Sequence, residues 1–128
     1  MAASIVVNLV TKAGPWLVKQ LPKLWPLLLE SKNRERLAEI AKDLGSRSPA
    51  KRLRGQVELT ATLAERIADQ AESESEREQA QDWSRRARNL AIRLDMPVVG
   101  REAKRSHRQS VQKQLEQLQA EMDQHLLS

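Results

Sequence analysis

Cysteine, phenylalanine and tyrosine are absent from this 128-residue chain, and glycine occurs only four times. Without cysteine there is no disulfide framework, no thiolate nucleophile and no cysteine-ligated zinc or iron–sulfur site. Few glycines and few β-branched residues, with no Phe or Tyr to pack on a pleated surface, argue against a sheet-rich fold. Histidine is scarce as well. His107 and His125 stand far apart in sequence, without the short His–His or His–Glu spacing of a zinc site. Glu72, Glu74, Glu76 and Glu78 alternate at every second position. A helix would spread them round its circumference, and a calcium loop would need Asp or Asn ligands and a central Gly. The serines fall mainly at turns, with no nucleophile elbow, and no glycine-lined phosphate loop is present. The expectation is a protein that is not an enzyme, with no catalytic residues, no cofactor and no metal.

Long apolar runs are also missing. The most apolar stretch, Ala13 to Leu29, is interrupted by Lys19, Lys23 and three prolines, whereas a membrane span needs about 20 predominantly apolar residues. Met1 to Val10 carries no side-chain charge ahead of its apolar residues, unlike a secretory signal. The expected location is cytoplasmic, with peripheral attachment at the inner face of the membrane as the alternative.

Charge is what the chain has in abundance. Lys and Arg number 22 against 17 Asp and Glu, for a formal net charge of +5. The charge is also segregated. Residues 45–55 hold Arg47, Lys51, Arg52 and Arg54 and no acid; residues 56–82 hold eight acids and two bases; residues 83–108 hold eight bases and two acids. An acidic block between two basic ones fits antiparallel neighbours that pair their faces, or basic blocks that meet an external anion.

Helical stretches are marked by their punctuation. The first ends at Leu44, with Gly45 at the position where a left-handed residue closes helices. Its residues Leu37, Ile40, Ala41 and Leu44 share one helical face. Ser48-Pro49 restarts the chain as N-cap and first helical residue. The second helix runs to about Ala71, with Leu53, Val57, Thr60, Ala64, Ile67 and Ala71 stepping by 3 and 4. Gly55 inside it permits a close neighbour at a cost of about 1 kcal/mol relative to Ala. Ser73 with Glu76, or Ser75 with Glu78, has the spacing of a capping box. The third helix carries Ala80, Trp83, Ala87, Leu90 and Leu94 as its stripe. Pro97 then breaks the chain, because a residue preceding proline is pushed out of the helical region. The fourth runs from about Arg101 to His125 on Val111, Leu115, Leu118 and Met122. Stripes joined by short turns define an all-α fold, an antiparallel bundle of three to four helices. That bundle occupies residues 30–128 and forms one domain with an apolar arm at residues 1–29.

The arm differs from the rest. On a helical wheel Leu17, Leu21, Leu24 and Leu28 fall within a stripe about 60° wide, while Pro15, Pro22 and Pro26 cluster near the other side. Prolines on the outer face bend a helix toward its opposite side. The arm thus reads as a proline-bent helix with Trp16, Leu17, Leu21, Leu24, Trp25 and Leu28 as a docking stripe. Three uses follow. The leading expectation is a helical interaction or assembly protein that forms a homo-oligomer or docks another helical protein through this stripe. The alternative is attachment to an anionic membrane surface, with Lys12, Lys19 and Lys23 facing headgroups. The third is weak nucleic-acid binding through an anion patch of Arg85, Arg86, Arg88, Arg101, Lys104, Arg105 and Arg108 on either side of Pro97. Against that third use stands pairing of those cations with the acidic second helix and its turn.

Overall fold

The computed structural model describes residues 34–127, which form four α-helices: α1 Arg34–Leu44, α2 Pro49–Gln70, α3 Glu74–Asp95 and α4 Arg101–Leu127. The expected helical bundle is therefore present, and no strand occurs among the described residues. Residues 1–33 and Ser128 lie outside the described part, and with them the whole N-terminal arm.

Capping side chains set the helix boundaries. Ser48 Oγ accepts from the Lys51 amide at 3.4 Å ahead of Pro49. Ser73 Oγ accepts from the Glu76 amide at 3.1 Å, with Glu74 and Glu76 in the first turn of α3. Each bond satisfies an amide that has no partner inside its helix. Carboxylates at the start of α3 also face the positive end of the helix dipole. Gly45 behaves otherwise than expected. Among the described residues only Gly100 adopts a positive φ, +100°. The α1–α2 turn is closed instead by Arg52, whose guanidinium donates to the carbonyls of Ser46 (3.1 Å) and Arg47 (2.8 Å). The last turn of α1 is itself capped by turn amides, Gly45 N–H donating to the Ala41 carbonyl (3.0 Å) and Ser46 N–H to that of Asp43 (3.1 Å), without a left-handed glycine.

α2 is the central element, packed against α1 on one side and against α3 and α4 on the other. It runs antiparallel to α1: Leu44, at the end of α1, meets Gly55 near the start of α2, and a Cβ built on Gly55 would lie 3.0 Å from both the Leu44 amide nitrogen and its Cγ. Arg36, near the other end of α1, reaches Glu58 at 3.6 Å and Glu65 at 3.0 Å. Burial of α2 is correspondingly wider than a single stripe. Leu59, Thr62, Leu63 and Arg66 are buried together with Leu53, Val57, Thr60 and Ala64. The two buried hydroxyls donate back to the preceding turn, Thr60 to the Gln56 carbonyl and Thr62 to that of Glu58, each at 2.8 Å.

α3 and α4 form an antiparallel hairpin. His107 Nε2 lies 2.5 Å from the Arg93 carbonyl at one end, and Arg86 reaches Glu121 at 2.7 Å further along. This pairing along their length differs from a helix-turn-helix, whose helices cross steeply after a tight turn. Two apolar clusters fill the space between helices. Leu53, Val57, Leu90, Val111 and Leu115 lie toward the Pro97 turn. Ala61, Ala64, Ala68, Ala80, Ala87, Trp83, Leu118 and Met122 lie toward the α2–α3 turn. The alanines there admit the large indole of Trp83, which is buried and meets the His125 ring edge-on at 5.2 Å between centroids. No helix among the described residues is long and apolar enough to cross a membrane.

Candidate anion-binding surface

The cations singled out in the sequence separate into two groups. Arg85, Arg86 and Arg88 belong to the middle of α3, where acids of three helices meet them. Arg85 bonds Asp82 at 2.9 Å. Arg86 contacts Asp82 at 3.5 Å and Glu121 of α4 at 2.7 Å. Arg88 pairs with Glu65 of α2, which also holds Arg36 of α1, so one carboxylate links three helices. The electrostatics follow these contacts. The hydrogen bond from Arg85, with the charge of Arg86 adding to it, holds the Asp82 carboxyl below its ordinary value although partial burial opposes this. The hydrogen bond to Glu121 raises Arg86 above its ordinary value. These three arginines are thus internally neutralised, the outcome expected of most charge runs.

Arg101, Lys104, Arg105 and Arg108 differ. No carboxylate of the described residues forms an ion pair with any of them, whereas Arg36, Arg54, Arg66, Arg77, Arg85, Arg86 and Arg88 all have one. At about 100° per residue the four fall within an arc of about 100° on α4. Glu102, the one acid nearby in sequence, stands about 110° round from the centre of that arc. Together with Gly100 the four cations line an open cavity of about 540 Å³.

Their register explains why this face is open. Lys104, Arg108, Val111, Leu115, Leu118 and Met122 step by 4, 3, 4, 3 and 4 residues. The last four are fully buried, so the stripe that faces the core in the lower half of α4 carries cations in its first turns. Residues 101–106 are exposed all round, because α3 ends at Asp95 and the described residues place no helix over the start of α4. Among the described residues these core-side cations face no acid, so this end of the bundle is an open mouth there.

A second basic block joins this end. Pro49 and Leu53 of α2 line a cavity of about 290 Å³ with Arg108, Gln109, Gln112, Lys113 and Glu116 of α4. The start of α2, with Arg47 and Lys51 exposed beside it, therefore stands next to the cationic face. Arg54 at this end is spent on Asp95. Positions on either side of Pro97 pair the 101–108 run with Arg85–Arg88 in the sequence. The structure joins it to the 45–55 block instead. The contact of Arg86 with Glu121 fixes the offset, since Arg105 lies 16 residues up α4 from Glu121, about 24 Å along the axis. The signal that could have shown this was the 3–4 register leading back from Val111 to Arg108 and Lys104.

Of the remaining sequence candidates, Trp16, Leu17, Leu21, Leu24, Trp25 and Leu28, with Lys12, Lys19 and Lys23, lie outside the described residues. No cluster of potential metal ligands is found among the described residues. No protein family, curated protein or solved structure matches the chain.

Proposed function

We propose that this chain is a non-catalytic helical interaction protein whose cation-bearing end engages a polyanionic partner. One observation carries the reading: Arg101, Lys104, Arg105 and Arg108 share one face without a carboxylate partner among the described residues, while Arg85, Arg86 and Arg88 of α3 are internally paired. Cations held near one another and left unneutralised form a field that attracts phosphate or sulfate groups and is weakened by salt. Paired cations add little to that field at a distance. Retention on immobilised heparin tests this with a charge-matched control. Arg105→Glu with Arg108→Glu is expected to lower the eluting salt concentration markedly. Arg85→Glu with Arg88→Glu, the same change in net charge, is expected to lower it far less.

The apolar stripe of the N-terminal arm supports docking of a second copy or another helical protein, as its helical spacing implies. If the stripe joins copies of the chain, light scattering gives a mass above 14.6 kDa that falls to it in Trp16→Ala with Trp25→Ala. A monomeric wild type assigns the stripe to a different partner.

A further inference from the structure

The large hydrophobic side chains exposed among the described residues are three: Ile92 at 59%, Met96 at 55% and Val99 at 92%. All three belong to the end of the molecule that bears the unpaired cations. Met96 follows the last residue of α3, Ile92 stands one helical turn before it, and Val99 precedes Arg101 by two residues. Between Asp95 and Arg101 the turn Met96-Pro97-Val98-Val99-Gly100 carries no charge, and Asp95 itself is neutralised by Arg54. Val99 is thus an almost fully exposed apolar side chain next in sequence to Gly100, which with Arg101, Lys104, Arg105 and Arg108 lines the cavity.

From this juxtaposition we infer that the Pro97 turn is a membrane-contacting tip. Met96 and Val99 enter the acyl boundary of an anionic bilayer, and Arg101, Lys104, Arg105 and Arg108 hold lipid phosphates in the cavity behind it. The inference rests on the polyanion reading above and names its partner. Charge complementarity alone would suit a nucleic acid equally well. The apolar tip decides between them, because a phosphodiester backbone offers Val99 and Met96 nothing to be buried in, whereas the interface of a bilayer takes up apolar side chains and places cations at headgroup level. Pro97 supports the geometry by keeping the tip out of helix, so that it projects past the end of α3.

Flotation of the full-length protein with vesicles of phosphatidylcholine, with and without phosphatidylglycerol, tests this. Binding is expected only with the anionic lipid and is expected to fall as salt rises. Met96→Ser with Val99→Ser leaves the charge unchanged and is expected to weaken vesicle binding about tenfold, by loss of apolar burial, while leaving heparin retention as it was. Arg105→Glu with Arg108→Glu is expected to weaken both, the former at least 25-fold on the scale of about fivefold per cation at an anionic surface. Vesicle binding unchanged by the serine substitutions overturns the tip. Wild-type protein that ignores anionic vesicles but binds a DNA duplex overturns the membrane assignment and leaves the cationic face standing. Heparin retention insensitive to the Arg105 and Arg108 reversals removes the face itself, and the tip with it. Far-ultraviolet circular dichroism of each variant confirms that its helices are retained.

Discussion

Asp82 illustrates how a single carboxylate determines which cations remain available. It accepts from Arg85 at 2.9 Å and lies 3.5 Å from Arg86, and these contacts lower its pKa from the ordinary 3.8. A carboxyl that is more acidic folded than unfolded contributes stability at all pH values above its unfolded pKa. That contribution disappears as pH falls through the lower folded value. Asp82→Asn is therefore expected to cost stability by a constant amount between pH 7 and 5, and the difference from wild type is expected to shrink as pH falls below the ordinary 3.8 and through the lower folded value. The side chain is 39% exposed, so solvent screening keeps the cost within about 1 kcal/mol. Urea denaturation of both proteins across this range checks it. A difference that grows toward low pH would contradict the pairing. Trp83 is a contrasting single residue. Its burial among alanines makes it a core side chain, as its place in the stripe of α3 indicates, and not a stacking platform for bases.

At the scale of the elements, Gly55 and Gly45 separate close packing from turn chemistry. Replacing Gly55 by Ala improves helix propensity by about 1 kcal/mol, but the new Cβ would stand 3.0 Å from the Leu44 backbone nitrogen. Overpacking of that kind costs about 1–3 kcal/mol. Gly55→Ala is expected to destabilise the protein by about 1 kcal/mol on balance. At Gly45 the nearest atoms to a Cβ are 3.5 and 3.7 Å away, so Gly45→Ala is expected to be neutral or to stabilise by up to about 1 kcal/mol through the unfolded chain. The urea midpoints of the two variants should therefore move in opposite directions, or Gly45→Ala should leave its midpoint in place. A stabilised Gly55→Ala would mean that α1 does not approach α2 as described.

The same elements show what could be read from the sequence. Ser48-Pro49, Ser73 and Pro97 are local signals, and each marks a boundary within a few residues of where it falls. The apolar stripes of α3 and α4 are legible for the same reason, since a 3–4 register needs no knowledge of the partner. The extent of burial on α2 is not legible in that way. Leu59 and Thr62 fall off its main stripe, and their burial follows from helices packing on more than one side. Nor does local pattern reveal which arginines remain unpaired. Arg88 is neutralised by Glu65, 23 positions away, and Arg86 by Glu121, 35 positions away. Only the fold brings those acids to them.

At the scale of the whole molecule, antiparallel packing converts blocks of charge along the chain into polarity along the bundle. The α2–α3 turn and the start of α3 expose Glu72, Glu74, Glu76 and Glu78. The opposite end gathers Arg47, Lys51, Arg101, Lys104, Arg105 and Arg108. α3 alone separates the two ends by about 33 Å, several screening lengths at physiological salt. An anionic group at the cationic end would therefore feel little of the acidic one, and the net charge of +5 understates the local field. Such polarity would orient the molecule with the Pro97 turn toward the polyanionic partner proposed above.

In the proposed function, unpaired cations and not basic residues in general make the binding surface. Its most direct test is the salt concentration that elutes two charge-matched variants from heparin, with the wild type beside them. A large drop is expected for Arg105→Glu with Arg108→Glu and a small one for Arg85→Glu with Arg88→Glu. Equal drops for the two variants would contradict it, because retention would then report net charge alone.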